Sequence, residues 1–107
     1  MKKGDICVVD LKNTGREQSG MRPAMILSDT KANIVVIIPL TSNLEALRFP
    51  FTSIISPDSH NNLKQESVAL VFHIQSIDKT RILKVIGKIK KKQRNEIDII
   101  LSKMLNL

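Results

Sequence analysis

Residues 22–41 read RPAMILSDTKANIVVIIPLT, and the way this stretch divides decides the fold. Two apolar runs, PAMILS at 23–28 and NIVVIIPLT at 33–41, flank a polar segment at 29–33 that supplies turn residues. The stretch therefore reads as a β-hairpin. Pro23 falls at the first residue of the first strand, where a sheet tolerates proline. The second run is apolar without alternation, which predicts a strand buried on both faces. A hairpin of this length places Arg22 and Thr41 at the same end of the sheet.

Outward from the hairpin, GDICVVDL at 4–11 reads as a strand with Ile6 and Val8 facing one way and Cys7, Val9 and Leu11 the other. A long polar loop, KNTGREQSGM, joins it to Arg22 and Pro23, more chain than a plain hairpin needs. After Thr41 the segment SNLEAL is a short loop or helical turn. RFPFTSII at 48–55 starts with Phe49 and Phe51 on one side, and Pro50 marks it as an edge strand. A turn cluster, SPDSHNN, follows at 56–62, then strands at 67–73 (SVALVFH) and 82–89 (ILKVIGKI). From Arg94 the period changes: Ile97, Ile100, Leu101, Met104 and Leu105 lie on one face of an amphipathic helix. The expected fold class is β-rich α+β: a small half-open barrel of five to six mostly antiparallel strands closed by a C-terminal helix. At 107 residues the chain is expected to be a single domain, 1–107.

Composition narrows the function classes. Seventeen Lys and Arg against ten Asp and Glu leave a net charge of +7, the balance of a phosphate-backbone binder or of a protein with a merely positive surface. With no Trp or Tyr and three Phe, a sequence-tolerant base-stacking platform is disfavoured. No run approaches the length of a membrane span, and the polar continuation after MKKGD argues against a signal peptide, so a cytoplasmic protein without a membrane partner is expected. A lone Cys7 fits a reducing compartment and reads as core filler. There is no phosphate-binding glycine loop, no HExxH and no metal-spaced Cys or His cluster, so no metal and no cofactor are expected.

What remains for chemistry is Arg22 at a loop-to-strand junction and Thr41 at the end of the paired strand. A phosphodiester reaction needs an anchored cation to offset charge in the transition state and a hydroxyl donor near a phosphate oxygen. Taken singly, such an arginine is more often an ion-paired or solvated edge residue, and such a threonine more often a strand-end cap. The densest basic stretch is Lys88, Lys90, Lys91, Lys92 and Arg94, which reads either as a solvated connection or as a surface holding RNA or an acidic partner.

The order of these pieces is recognisable. GDICVVDL, then GREQSGMRPAMILS, then a strand ending PLTS, continuing through ESVALVFHIQSIDKTRI to a closing helix, resembles the MazF/PemK-like toxins of type II toxin–antitoxin pairs over essentially the whole chain. The resemblance implies an SH3-like barrel, a homodimer, and metal-independent cleavage of single-stranded RNA, often mRNA at short sequences. It assigns the catalytic arginine to Arg22 and the hydroxyl partner to Thr41. It places Gln18, Gly20, Pro23, Ser42, Asn43 and Gln75 against the RNA. It also implies a cognate antitoxin whose acidic segment fills the RNA groove, and DNA binding together with that antitoxin.

The chain departs from the family at one place. Where relatives often carry an acid followed by Gln and then an Arg-Thr pair, residues 72–76 read FHIQS, so the acid used as a base in some members is missing. His73 is the candidate replacement, because an imidazole shuttles protons near neutrality; the other reading is a strand-end cap. Two further functions fit the same fold: a CcdB-like gyrase poison acting through its C-terminal helix, or a toxin that binds RNA without cutting it. Retention of Arg22 and Thr41, and an ending of Met-Leu-Asn-Leu rather than Trp-Gly-Ile, favour the nuclease.

Overall fold

In the computed structural model, which describes residues 1–11 and 20–107, the chain runs through strands β1 (Asp5–Asp10), β2 (Met21–Asp29), β3 (Ile34–Thr41), β4 (Thr52–Ile55), β5 (Ser67–Leu70), β6 (Gln75–Asp78) and β7 (Ile82–Lys88), then helix α1 (Lys91–Leu105). Short 3-10 turns occupy Leu44–Arg48, Val71–His73 and Lys79–Arg81. Every strand pair is antiparallel, in the order β4-β5-β3-β2-β1-β7, with β6 also paired to β3. This is the half-open barrel with a closing helix that the sequence predicts.

The hairpin at 23–41 forms with Ala24 opposite Pro39, Met25 opposite Ile38 and Ile26 opposite Ile37. Its turn is held by polar side chains. Asp29 Oδ1 accepts the Lys31 amide (3.0 Å), and Thr30 Oγ1 donates to the Ile34 carbonyl (2.7 Å). β2 begins at Met21, two residues before Pro23, so Pro23 is inside a central strand. It is accommodated because the ladder to β3 starts only at Ala24, leaving Pro23 paired with Val8 of β1 where the sheet opens.

β3 is buried on both faces within one chain. Ile38 and Leu40 enter a core with Ile6, Met25, Ile55, Val71, Ile97 and Leu101, while Val35 and Ile37 enter a second with Cys7, Val9, Leu11, Ala24 and Ile26. Completely burying these four β3 side chains is worth roughly 6–12 kcal/mol, as large as the whole net stability of a typical domain. The facing of β1 is as expected, Ile6 into the first core and Cys7, Val9 and Leu11 into the second.

Four boundaries differ from the sequence reading, each for a local reason. Among the described residues there are seven strands rather than five to six, because QSID at 75–78 forms β6 with Ile77 as its buried residue, too few inward positions to produce an alternation. Segment 67–73 is not one strand: β5 stops at Leu70 and turns at Val71–His73, since β5 and β6 both pair with β3 and the chain must turn a corner between them. Residues 48–51 leave the extended run, with Arg48 ending a 3-10 turn and Phe51 at a left-handed φ of 58° after Pro50; only β4, an edge strand, remains. Helix α1 starts at Lys91, three residues ahead of the apolar period, and ends on Asn106 in the left-handed region, where the Leu107 amide reaches the Ser102 carbonyl (2.9 Å).

The outer edge of β7 is covered by the 60–62 turn. The Lys88 amide donates to the His60 carbonyl (2.9 Å) and Asn62 Nδ2 to the Ile86 carbonyl (2.6 Å). Asn61, fully buried, ties this turn together: its Oδ1 accepts the Asp58 and Leu63 amides and its Nδ2 donates to the Ser56 carbonyl. Gly87 makes the approach possible, because a Cβ there would lie 2.7 Å from the Asn61 carbonyl atoms. Gly87→Ala is therefore expected to lower stability by about 1–3 kcal/mol, read as a fall in the urea midpoint with unchanged slope.

Three turn aspartates give the fold a pH signature. The Lys31 amide, with Lys79 beside it, holds Asp29 below the ordinary carboxylate range; the Asn61 and His60 amides do the same for Asp58, and the Thr80 amide and hydroxyl for Asp78. Their folded-state values lie below the unfolded value of about 3.9, so their stabilisation is complete above that pH and lost as the pH falls through the lowered values. Thermal melts should show a stability plateau down to about pH 5 and a decline beginning below about pH 4; a decline already complete near pH 6 would contradict this account.

Candidate active site

The site forms where the sheet opens. β2 carries Arg22 opposite Val9 of β1, just beyond the end of the β2–β3 ladder. At the same end, β3 leaves β2 and continues with β5, Thr41 opposite Val68. The corner at Val71–His73 brings Phe72 and His73 alongside. A cavity of about 300 Å³ results, lined by Arg22, Thr41, Asn43, Phe49, Phe72 and His73. A larger one, about 530 Å³, adjoins it and contains Arg22 again, with Pro23, Ser42, Lys64, Lys84 and Ile86. Arg22 is common to both, half-buried, and so stands between them.

The structure brings most of the sequence candidates together. Arg22, Thr41, Asn43 and His73 share the smaller cavity, and Pro23 and Ser42 the larger. Thr41 is buried, and its Oγ1 accepts the Asn43 amide (3.2 Å), so it does cap the strand end, as the plainer reading held. That bond uses a lone pair and leaves the hydroxyl proton to donate. Asn43 is itself engaged as the N-cap of the 3-10 turn at Leu44–Arg48, accepting the Glu45 amide (3.1 Å). Gln75 is not among the residues lining either cavity; its Nε2 is 3.3 Å from His73 Nδ1 and donates to the His73 carbonyl at 3.3 Å. It is placed to orient the imidazole. Gly20, at a φ of +79°, is exposed at the base of the loop, where its carbonyl accepts the Leu11 amide (2.9 Å). Gln18 lies outside the described residues.

Sequence reasoning missed the aromatic wall. Phe49 and Phe72, though separate in sequence, have ring centroids 5.8 Å apart and are 45% and 40% exposed, with His73 a further 5.8 Å from Phe72 and the Arg48 guanidinium 5.1 Å over Phe49. Counting three phenylalanines could not reveal that two would meet. Lys64 and Lys84 were also missed; neither belongs to the dense basic run, and only the fold carries them to the cavity.

Among the described residues no three His, Cys, Asp or Glu side chains are grouped to hold a metal ion. Among the described residues no helix is long and apolar enough to cross a membrane.

With the geometry in hand, comparison with known proteins gives the class. Residues 2–105 match the family described as PemK-like, MazF-like toxin of type II toxin–antitoxin system, and the chain belongs to that family. Among curated relatives, Endoribonuclease MazF9 of Mycobacterium tuberculosis is 29% identical over 117 residues, covering 100% of this chain and 98% of the relative. Among solved structures, MazF from Deinococcus radiodurans aligns with a TM-score of 0.81 at 23% identity, over 100% of this chain and 97% of that one. A mycobacterial endoribonuclease in complex with its cognate antitoxin aligns with a TM-score of 0.74 at 20% identity, over 100% and 94%. At these identities the structural likeness establishes the fold.

Cys7 plays no part in the site. Burial, aided by Asp5, pushes its thiol up to about 12, and its Sγ donates to the Ala24 carbonyl (3.6 Å). Alkylation by iodoacetamide at pH 8 should be negligible in the folded protein and rapid in denaturant; rapid labelling of folded protein would show that the second core opens readily.

Proposed function

We propose that this chain is a single-domain, metal-independent endoribonuclease, the toxin of a type II pair, acting in the cytoplasm on single-stranded RNA, mRNA included. The observation that carries the reading is the meeting of Arg22, Thr41 and His73 in one cavity at the open end of the sheet. The family match and the name of the M. tuberculosis relative favour it over gyrase poisoning.

The chemistry follows from the groups present. The 2′-oxygen of the nucleotide attacks the adjacent phosphorus, losing its proton to a base, and the bond to the 5′-oxygen breaks as that oxygen takes up a proton from the same shuttle. The products are a 2′,3′-cyclic phosphate and a 5′-hydroxyl. Negative charge builds on the non-bridging oxygens, where the Arg22 guanidinium presents two parallel donors and the Thr41 hydroxyl a third. His73, oriented by Gln75, stands in for the missing acid at position 72 as proton shuttle. Pro23, Ser42 and Asn43, with Gly20 and Gln18 in the preceding loop, contribute to holding the strand.

The protein partners belong to the same reading. The homodimer that the family resemblance implies is not required by the 33–41 strand, both of whose faces are covered within the chain. Support for the dimer comes instead from an exposed apolar patch, Leu44, Leu47, Phe49, Phe51, Ile54 and Phe72, of the kind a subunit covers. A cognate antitoxin, acidic and ordering on binding, would fill the groove on either side of Arg22, the pair together binding DNA.

The test is cleavage of RNA by purified protein in chelator. Arg22→Ala, checked for folding by circular dichroism, should lower the rate by about 10² to 10³-fold, and Arg22→Lys should recover little, since a point charge does not reproduce the guanidinium fork. Thr41→Ala should cost less than Arg22→Ala, because a neutral donor is weaker than an ionised one. His73→Ala separates its two roles: a large loss makes it the shuttle, a near-wild-type rate makes it structural. Unchanged cutting by folded Arg22→Ala protein would remove this site from the chemistry.

A further inference from the structure

The proposed chemistry leaves a second cationic cavity unused. Beyond the 60–62 turn lies a space of about 400 Å³ lined by His60, Lys88, Ile89, Lys90, Lys91 and Arg94. Lys90 Nζ is 3.8 Å from Asp58, whose Oδ1 already accepts the His60 and Asn61 amides. Lys88, Lys91 and Arg94 make no ion pair among the described residues. Unpaired cations gathered in one concavity repel one another and oppose the dipole of α1, whose first turn they flank, so they do not serve the fold.

This cavity lies across the 60–62 turn from the larger cavity of the candidate active site. The 60–62 turn is the divider: Asn62 lines the cavity that contains Arg22 and His60 lines this one, while on β7 Lys84 and Ile86 line the first and Lys88 the second. Lys84 stands opposite Val8, and Arg22 opposite the next residue, Val9, across β1. Two strand spacings and four residues along β7 put Lys88 on the order of 15 Å from Arg22. The Debye length at physiological salt is about 8 Å, so these charges are largely screened from the reacting phosphate. Any effect on RNA must come through a different part of the strand.

We infer that the cavity between the 60–62 turn and the start of α1 holds backbone phosphates of the RNA a few nucleotides away from the cleaved bond. The inference rests on the endoribonuclease reading. An acidic antitoxin segment is the other polyanion to consider, but a peptide that orders on its partner needs apolar pockets as well as charge, and here the apolar lining is the buried Ile89 alone. Phosphates require only the cations.

The test compares a short RNA centred on a mapped cleavage site with the same RNA extended by several nucleotides on both sides. Binding is measured on versions carrying a 2′-deoxy sugar at the cleaved position, and kcat on cleavable ones. In the double variant Lys88→Gln, Lys91→Gln, affinity for the long RNA should fall about five- to ten-fold, and the log–log salt slope should shrink by roughly 1.4, two contacts at about 0.7 each. Affinity for the short RNA and kcat on both should stay at wild-type values. Lys88→Arg with Lys91→Arg keeps the charge and should bind the long RNA as wild type does, which separates charge from folding. An equal loss on both RNAs, no loss on the long one, or a loss seen only in binding an acidic antitoxin peptide would each overturn the inference. Wild-type protein that neither binds nor cuts single-stranded RNA would overturn the endoribonuclease reading as well; cutting with an unaltered salt slope in the Gln variant would overturn this inference alone.

Discussion

Strand β3 has to satisfy two cores and three neighbouring strands at once, and the geometry of the candidate site is the consequence. Val35 and Ile37 point into one core, Ile38 and Leu40 into the other. On one edge β3 pairs with β2; on the other it pairs first with β6 and then with β5. A strand shared in this way cannot lie in a flat sheet. The chain between β5 and β6 must turn a corner, which becomes Val71–His73, and β2 must part from β3 at its far end, which exposes Arg22. The cavity between these two events contains Arg22, Thr41 and His73 together. Weakening the apolar run of β3 would disperse the site before touching any residue in it.

Charge is arranged on this frame in two ways. The aspartates that shape turns, Asp29, Asp58 and Asp78, are held by backbone amides and so remain ionised at little cost, fixing loops at the sheet ends. The cations are left largely to the outer surface, but not evenly. Lys64 and Lys84 reach the larger cavity beside Arg22, and Lys88, Lys90, Lys91 and Arg94 gather past the 60–62 turn. A net charge of +7 spread uniformly would only raise solubility; cations gathered at two neighbouring concavities raise the local concentration of a polyanion there.

How much of this was legible in the sequence depended on whether the signal was local. The hairpin at 23–41, the facing of β1 and the buried stripe of α1 were readable because the apolar period and turn residues lie in the segments themselves. β6 was not, since a four-residue strand with Ile77 as its inward residue has no period. The end of β5 at Leu70 was not, since SVALVFH is apolar throughout and the reason to turn belongs to β3, thirty residues earlier. The same division holds for the site. Arg22 and Thr41 could be placed together because they sit at one end of a hairpin, whereas the meeting of Phe49 with Phe72 and the arrival of Lys84 beside Arg22 depend on long-range pairings that no spacing encodes.

The exchange of an acid for Phe72 is more than the loss of a base. A carboxylate in this wall would lie beside the same phosphate that Arg22 is positioned to meet, and in the free protein it would compete for the guanidinium. An aromatic ring does neither. With Phe49 packed 5.8 Å away, it supplies a half-exposed apolar side to the cavity. The neighbouring residue proposed as proton shuttle is His73, whose Nδ1 lies 3.3 Å from Gln75 Nε2. On the proposed reading, proton transfer would fall to His73, held by the Gln75 amide, and charge stabilisation to Arg22 beside the Phe49–Phe72 wall.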